Sequence, residues 1–82
     1  MRPPSVAPDL VVRPACRYAD AAGLERLAAR AGARAVAGAH VLVAERAGRI
    51  VAAVSMHDGR AVADPGGGAL DAVAVLRRAA AA

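Results

Sequence analysis

Three consecutive glycines, Gly66, Gly67 and Gly68, form the best candidate for ligand chemistry in this 82-residue chain. They stand before a stretch with helical periodicity, and the N–H groups of a glycine-rich turn at a helix N-terminus can hold a phosphate. A plain flexible connector explains the same residues, and we favour that interpretation. We nevertheless keep the three glycines as the candidate cofactor-binding residues. We do not expect the isolated chain to bind a cofactor.

A second group, Ser55, His57 and Asp58, has the residue types of a catalytic triad. Triads are built from residues that are distant in sequence, and they are recognised by geometry. We therefore interpret these three residues as a hairpin turn. The sequence leaves the catalytic residues unknown, and we do not expect enzymatic activity of the isolated chain.

The remaining chemically distinctive residues are interpreted structurally. His40 is predicted to be a surface histidine, and Cys16 a small, semi-buried residue. Arg26 and Arg30 lie one turn apart on a predicted helix and could meet an acidic partner, although we favour a solvated helix face. No second cysteine or histidine cluster supplies metal-ligand spacing, and no metal site is predicted.

Charge and hydropathy restrict the classes of function. The net charge of +4 permits nucleic-acid binding, but the eleven basic residues, all arginine, are scattered and the chain has one aromatic residue to stack on bases. Nucleic-acid binding is therefore disfavoured. The apolar runs are far shorter than the roughly 20 residues of a membrane span. The single cysteine suits a reducing compartment, and we expect a cytoplasmic location without membrane attachment.

Hydrophobic periodicity predicts a single α+β domain with a small antiparallel sheet of three to four strands and two helices. Residues 1–9, with three of the five prolines, are predicted to be a disordered leader, and residues 10–82 the folded domain. The predicted elements, in order, are a strand from Leu10, a helix over Ala21–Ala31, strands over His40–Arg46, Arg49–Met56 and Arg60–Ala63, and a helix over Ala69–Ala80.

Local signals set the details of these elements. Asp20 is predicted to cap the N-terminus of the first helix, and Gly32 to end that helix. In the strand Arg49–Met56, strict alternation places Ile50, Ala52, Val54 and Met56 on one face and Val51, Ala53 and Ser55 on the other. Because both sets are largely apolar, this strand is predicted to be central and covered on both faces.

Three sequence segments of this chain resemble segments of a known protein family. They are Val12-Arg13-Pro14-Ala15 followed by Asp20-Ala21 and Leu24 to Leu27, then Val41-Leu42-Val43-Ala44-Glu45 followed by Gly48-Arg49-Ile50-Val51-Ala52, and Ala61-Val62-Ala63-Asp64-Pro65. They resemble the first helix and first four strands of GCN5-related N-acetyltransferases, which use acetyl-CoA. The resemblance covers roughly Leu10 to Leu76 and implies the N-terminal half of that fold.

Departures from the family pattern imply a degenerate, truncated domain. The family holds the pyrophosphate of acetyl-CoA in a Q/R-x-x-G-x-G/A loop, where this chain has Gly66-Gly67-Gly68-Ala69. Ala63 stands in place of the Gln or Arg, and Asp64 places a negative charge beside any bound phosphate. The fifth strand and the later helix that often carries a general-acid tyrosine are expected to be missing. Tyr18 cannot take that role.

The resulting hypothesis is an acetyltransferase-like domain with an incomplete acetyl-CoA site, which acts through self-association or through a protein partner. One alternative is an active acetyl-CoA-dependent N-acyltransferase that dimerisation completes. A second alternative is a small basic nucleic-acid accessory protein. The two helices offer few large apolar side chains, so some apolar surface is expected to remain open, and the last short strand lacks a neighbour. A homo-oligomer or a protein partner is therefore expected.

Overall fold

A computed structural model of the chain describes residues 10–16, 18–36, 40–66 and 69–81. Residues 1–9, predicted to be a leader, lie outside this part. The elements are β1 (Leu10–Pro14), α1 (Ala21–Ala31), β2 (Val41–Arg46), β3 (Arg49–Ser55), β4 (Ala61–Ala63) and α2 (Ala69–Ala81). The predicted α+β class, with a four-stranded antiparallel sheet and two helices, is confirmed.

The sheet is a meander in which each strand pairs with the next along the chain, in the order β1-β2-β3-β4. The β2–β3 hairpin closes through a two-residue turn, with Arg46 opposite Arg49. Both turn residues have positive φ angles, 55° at Ala47 and 76° at Gly48. This left-handed geometry matches the right-handed twist of paired strands, but it is unfavourable for an alanine.

The two helices cover opposite faces of the sheet and divide the core into two clusters. Leu27 of α1 packs on one face, in the same cluster as Val43 and Ile50. Leu76 of α2 packs on the other face, with Ala52 and Val54. The prediction that β3 is central and covered on both faces is confirmed, since every residue from Ile50 to Ser55 is buried.

The predicted faces of β3 are partly wrong, because the strand contains a β-bulge. Ala44 lies opposite Ala52, but the next residue of β2, Glu45, lies opposite Ile50, which leaves Val51 as the extra residue. A bulge breaks the two-residue alternation of side chains. Ile50 therefore faces α1, while Val51 joins the cluster beneath α2. Met56, predicted to share a face with Ile50, lies beyond the strand and is 48% exposed.

Helix α1 has the predicted bounds but not the predicted N-terminal cap. Leu27 and Ala28 are its buried residues, and Gly32 ends it in the left-handed conformation with φ 65°, where glycine is favoured. Asp20 occupies the N-cap position, yet its side chain makes no capping hydrogen bond. The carboxylate instead binds Arg13 and the N–H of Cys16, which leaves the first turn of α1 without a side-chain cap.

Candidate functional site

The loop between β4 and α2 begins with a buried carboxylate. Asp64 is 7% exposed, and its Oδ1 accepts the N–H of Gly66 at 2.8 Å. Its Oδ2 lies 3.1 Å from Nε of Arg30 on α1, while its own N–H donates to the carbonyl of Val51. Gly67 and Gly68, the other two candidate residues, lie outside the described residues.

These contacts change the electrostatic interpretation of the loop. The sequence predicts that Asp64 repels a phosphate, but Arg30 neutralises that charge. Phosphate binding is instead opposed by the hydrogen bond that the Gly66 N–H already donates to the Asp64 carboxylate. A phosphate at this loop would have to compete with an intramolecular, charge-assisted hydrogen bond for that donor.

The interpretation of His57 and Asp58 as a turn is confirmed, while Ser55 is the last residue of β3. The Ser55 hydroxyl accepts the N–H of His57 at 3.2 Å, and Asp58 Oδ1 accepts the N–H of Arg60 at 3.0 Å. The hydrogen bond from Arg60 is the main reason that the pKa of Asp58 lies below its ordinary value. Gly59 completes the turn with φ 75°. The polar contacts of these residues are local and stabilise the β3–β4 connection.

The Arg13 cluster, formed by Arg13, Asp20 and Glu45, was not predicted. The guanidinium of Arg13 donates to both carboxylate oxygens of Asp20, at 2.7 and 2.8 Å, and its Nε donates to Glu45 at 3.0 Å. These bonds, with the N–H of Cys16, lower the pKa of Asp20 to about 2. The hydrogen bond from Arg13 also lowers the pKa of Glu45, and the two carboxylates raise that of Arg13.

The Arg13 cluster fixes β1, β2 and the start of α1 relative to one another. Arg13 lies on β1 opposite Val43 of β2, so that Glu45 is its diagonal neighbour on the same face. An ion pair between Arg13 and Glu45 could be predicted only if the register of β1 and β2 were already known. The buried Asp20 carboxylate is satisfied within this cluster, and its role is structural.

A pocket of about 270 Å³ lies beside the Arg13 cluster, between the first turns of α1 and the β2–β3 hairpin. We call it the arginine pocket, because Arg26, Arg30 and Arg49 line it together with Asp20 and Glu45. Of the two helix arginines singled out from the sequence, Arg30 is paired with Asp64. Arg26 is exposed and has no hydrogen-bond or ion-pair partner among the described residues.

A second pocket, of about 320 Å³, lies between the end of α1 and the β3–β4 turn. The Arg60 guanidinium donates there to the carbonyl of Arg34 and, at 3.1 Å, to that of Ala35. These two bonds attach the segment that follows α1 to the start of β4. Because backbone carbonyls accept hydrogen bonds from the Arg60 guanidinium, we assign Arg60 a structural role in this pocket.

The other two candidates are surface residues. His40 is exposed as predicted, whereas Cys16 is exposed and not semi-buried. The Cys16 residue follows β1 directly, and only its backbone is anchored, by donation of its N–H to Asp20 at 2.6 Å. Within the described ranges, no group of histidine, cysteine or acidic residues could hold a metal ion.

The outer edge of β4 is the last feature that the fold presents. Its partner β3 lies on one side, and no other strand of the described chain pairs with the other side.

Of the described helices, none is long and apolar enough to cross a bilayer. The chain matches no protein-family model, and it has no significant match among curated proteins or solved structures.

Proposed function

We propose that this chain is an acetyltransferase-like module that binds no acetyl-CoA by itself and acts by association with a second copy through the outer edge of β4. The order of strand, helix, three-stranded meander and helix supports the resemblance to the first half of a GCN5-related N-acetyltransferase. The exposed Cys16, which suits a reducing compartment, extends the proposal to a cytoplasmic location.

The observation that carries the proposal is the direction of the backbone groups of β4. The N–H of Ser55 donates to the carbonyl of Arg60, and the N–H of Asp64 donates to that of Val51. In an antiparallel ladder, bonding to one neighbour recurs at every second residue. The N–H and C=O groups of Ala61 and Ala63 therefore point away from β3, where they are available to another strand.

The two edges of the sheet differ in their capacity to accept a strand. At the other edge, the N–H of Ala15 donates to the carbonyl of Val41 on β2. Because bonding to β2 recurs at every second residue, Val12 and Pro14 face away from β2, and Pro14 has no N–H to donate. A proline at an edge is a common protection against pairing. The outer edge of β4 has no such protection in Ala61 and Ala63.

Of the two-fold registers open to this edge, one pairs the outward groups of both Ala61 and Ala63 within the strand. Ala61 of one copy would lie opposite Ala63 of the second copy and exchange both hydrogen bonds with it, while the two Val62 residues would face each other across the axis. The two sheets would then join into one sheet of eight strands. Such a pair needs about 800 Å² of buried surface per copy to be stable, so helices as well as strands must contribute.

Light scattering on purified variants tests this proposal. Ala63→Pro removes an outward N–H and leaves the bonds to β3 in place, while Ala63→Ser is the matched control that keeps the N–H. We expect dimers of the wild-type chain and of Ala63→Ser, and monomers of Ala63→Pro with an unchanged circular dichroism spectrum. If Ala63→Pro does not fold, Ala61→Pro tests the same edge. A folded wild-type monomer at low micromolar concentration would refute the proposal.

Titration with acetyl-CoA separates the proposal from an active enzyme. Because the Gly66 N–H is bound to the Asp64 carboxylate, we expect no calorimetric binding of acetyl-CoA. A micromolar Kd, about 8 kcal/mol of binding free energy, would contradict this expectation and favour an acyltransferase that dimerisation completes. A salt-dependent retardation of DNA would instead favour the nucleic-acid accessory protein.

A further inference from the structure

The arginine pocket has two walls that come from different parts of the fold. Asp20, Gly23 and Arg26 contribute from the start of α1, and Glu45, Arg49 and Ile50 contribute from the β2–β3 hairpin. Gly23 permits the close approach of these walls, since a Cβ at this position would lie 3.1 Å from Cδ1 of Ile50. The pocket is thus a consequence of how α1 packs on the sheet.

Positive charges outnumber negative charges around the arginine pocket, even when the ion pairs of these residues are counted. Asp20 and Glu45 are both bound to Arg13, and Arg30 is bound to Asp64. Arg26 and Arg49 line the same pocket, and neither has a hydrogen-bond or ion-pair partner within the described part of the chain. Arg13 supplies one positive charge for two carboxylates, so these four arginines and three carboxylates together leave a net charge of +1 at the pocket.

The chemistry of the pair indicates the ligand. Guanidinium groups present planar sets of N–H donors that match the oxygens of phosphate and carboxylate groups. Two such groups on opposite walls suit a dianion better than a monoanion. The first turn of α1, which lines the same pocket, has no side-chain cap, so its N–H groups have no side-chain acceptor there. The arginine pair carries the argument, and the helix end only reinforces it.

We propose that the arginine pocket binds the phosphate group of a small phosphomonoester, with Arg26 and Arg49 as its cationic contacts. The pocket volume of about 270 Å³ accommodates a phosphate with a small organic substituent. This site lies on the α1 side of the β2–β3 hairpin, and it does not depend on the proposed function of the β4 edge.

A titration with inorganic phosphate, followed by amide NMR spectra at constant ionic strength, tests the proposal. We expect saturable shifts of the amides of Gly23 and Arg49 with a Kd near or below about 1 mM, and markedly weaker effects from acetate. The double variant Arg26→Gln, Arg49→Gln should weaken phosphate binding at least about tenfold. Arg78→Gln, which removes an exposed arginine from α2, is the control and should bind as the wild type does.

Three outcomes would overturn this inference. The first is the absence of saturable shifts at about ten times the expected Kd. The second is equal phosphate affinity of the double variant and of Arg78→Gln, which would assign the binding to general charge. The third is equal affinity for acetate and phosphate, which would exclude a site built for a dianion. Circular dichroism of each variant verifies that the fold is retained.

Discussion

Asp20→Asn is the most informative single substitution in the Arg13 cluster. It removes the negative charge that Arg13 contacts through two hydrogen bonds of 2.7 and 2.8 Å. Asparagine has nearly the same shape, still offers an oxygen to the N–H of Cys16, and is itself a favourable N-cap residue. Because both carboxylate oxygens accept from Arg13, the substitution removes the charge together with one Arg13 hydrogen bond, while side-chain size and the N-cap residue type are retained.

The pKa of Asp20 gives the expected magnitude. Its folded-state pKa is about 2, against an ordinary value of 3.8, and the residue is buried. Each pKa unit corresponds to about 1.4 kcal/mol, so ionised Asp20 stabilises the folded state by about 2 kcal/mol. Because the folded pKa is the lower one, this stability is present above pH 4 and is lost as pH falls toward 2.

Thermal unfolding followed by circular dichroism measures the effect. At pH 7, Asp20→Asn should lower the free energy of unfolding by about 2 kcal/mol, which corresponds to roughly 10 °C in Tm for a domain of this size. Glu25→Gln is the control, because Glu25 is exposed on the same helix, and it should change the stability by less than about 0.5 kcal/mol.

The pH dependence provides the decisive comparison. The difference between the wild type and Asp20→Asn should be constant from pH 7 to pH 5 and should narrow between pH 4 and pH 2. A loss no larger than that of Glu25→Gln, or a difference that persists unchanged at pH 2, would show that the Asp20 charge does not stabilise this fold.

Three further substitutions test other parts of the structure. Ala47→Asn should raise stability by about 0.5 to 1 kcal/mol in urea denaturation, because Ala47 has φ 55° and Asn-Gly is favoured in such turns; a loss of stability would contradict the turn geometry. Cys16→Ala should be nearly neutral since Cys16 is exposed, and a loss above about 2 kcal/mol would refute that placement. Leu76→Ala should cost about 2 to 5 kcal/mol, because Leu76 of α2 is fully buried against the sheet, and a neutral result would show that α2 does not cover the sheet.

The element order and most element bounds are predictable from the sequence. Leu24, Leu27, Ala28 and Ala31 form an apolar stripe with helical spacing, and Gly32 terminates it, so the bounds of α1 follow from local signals. The bulge at Val51 is not a local property. It arises from pairing with β2, and it reverses the face that simple alternation assigns to Ile50.

The candidate site is less predictable, because its contacts join residues far apart in sequence. Asp20 has the residue type and position of an N-cap, and only the positions of Arg13 and of the Cys16 N–H show that its carboxylate is used elsewhere. Similarly, Arg30 looks like a solvated helix residue until the fold places it against Asp64. Local patterns give the elements, while these ion pairs depend on how the elements pack.

Amide hydrogen exchange at Ala61 and Ala63, measured over a range of protein concentrations, tests most directly whether the chain associates through the outer edge of β4. Val62 faces β3 in the ladder, and its N–H should be protected at every concentration. Our account predicts that the Ala61 and Ala63 amides exchange rapidly in dilute protein and become protected as the concentration rises. Rapid exchange of both amides at all concentrations, alongside a protected Val62, would contradict the account.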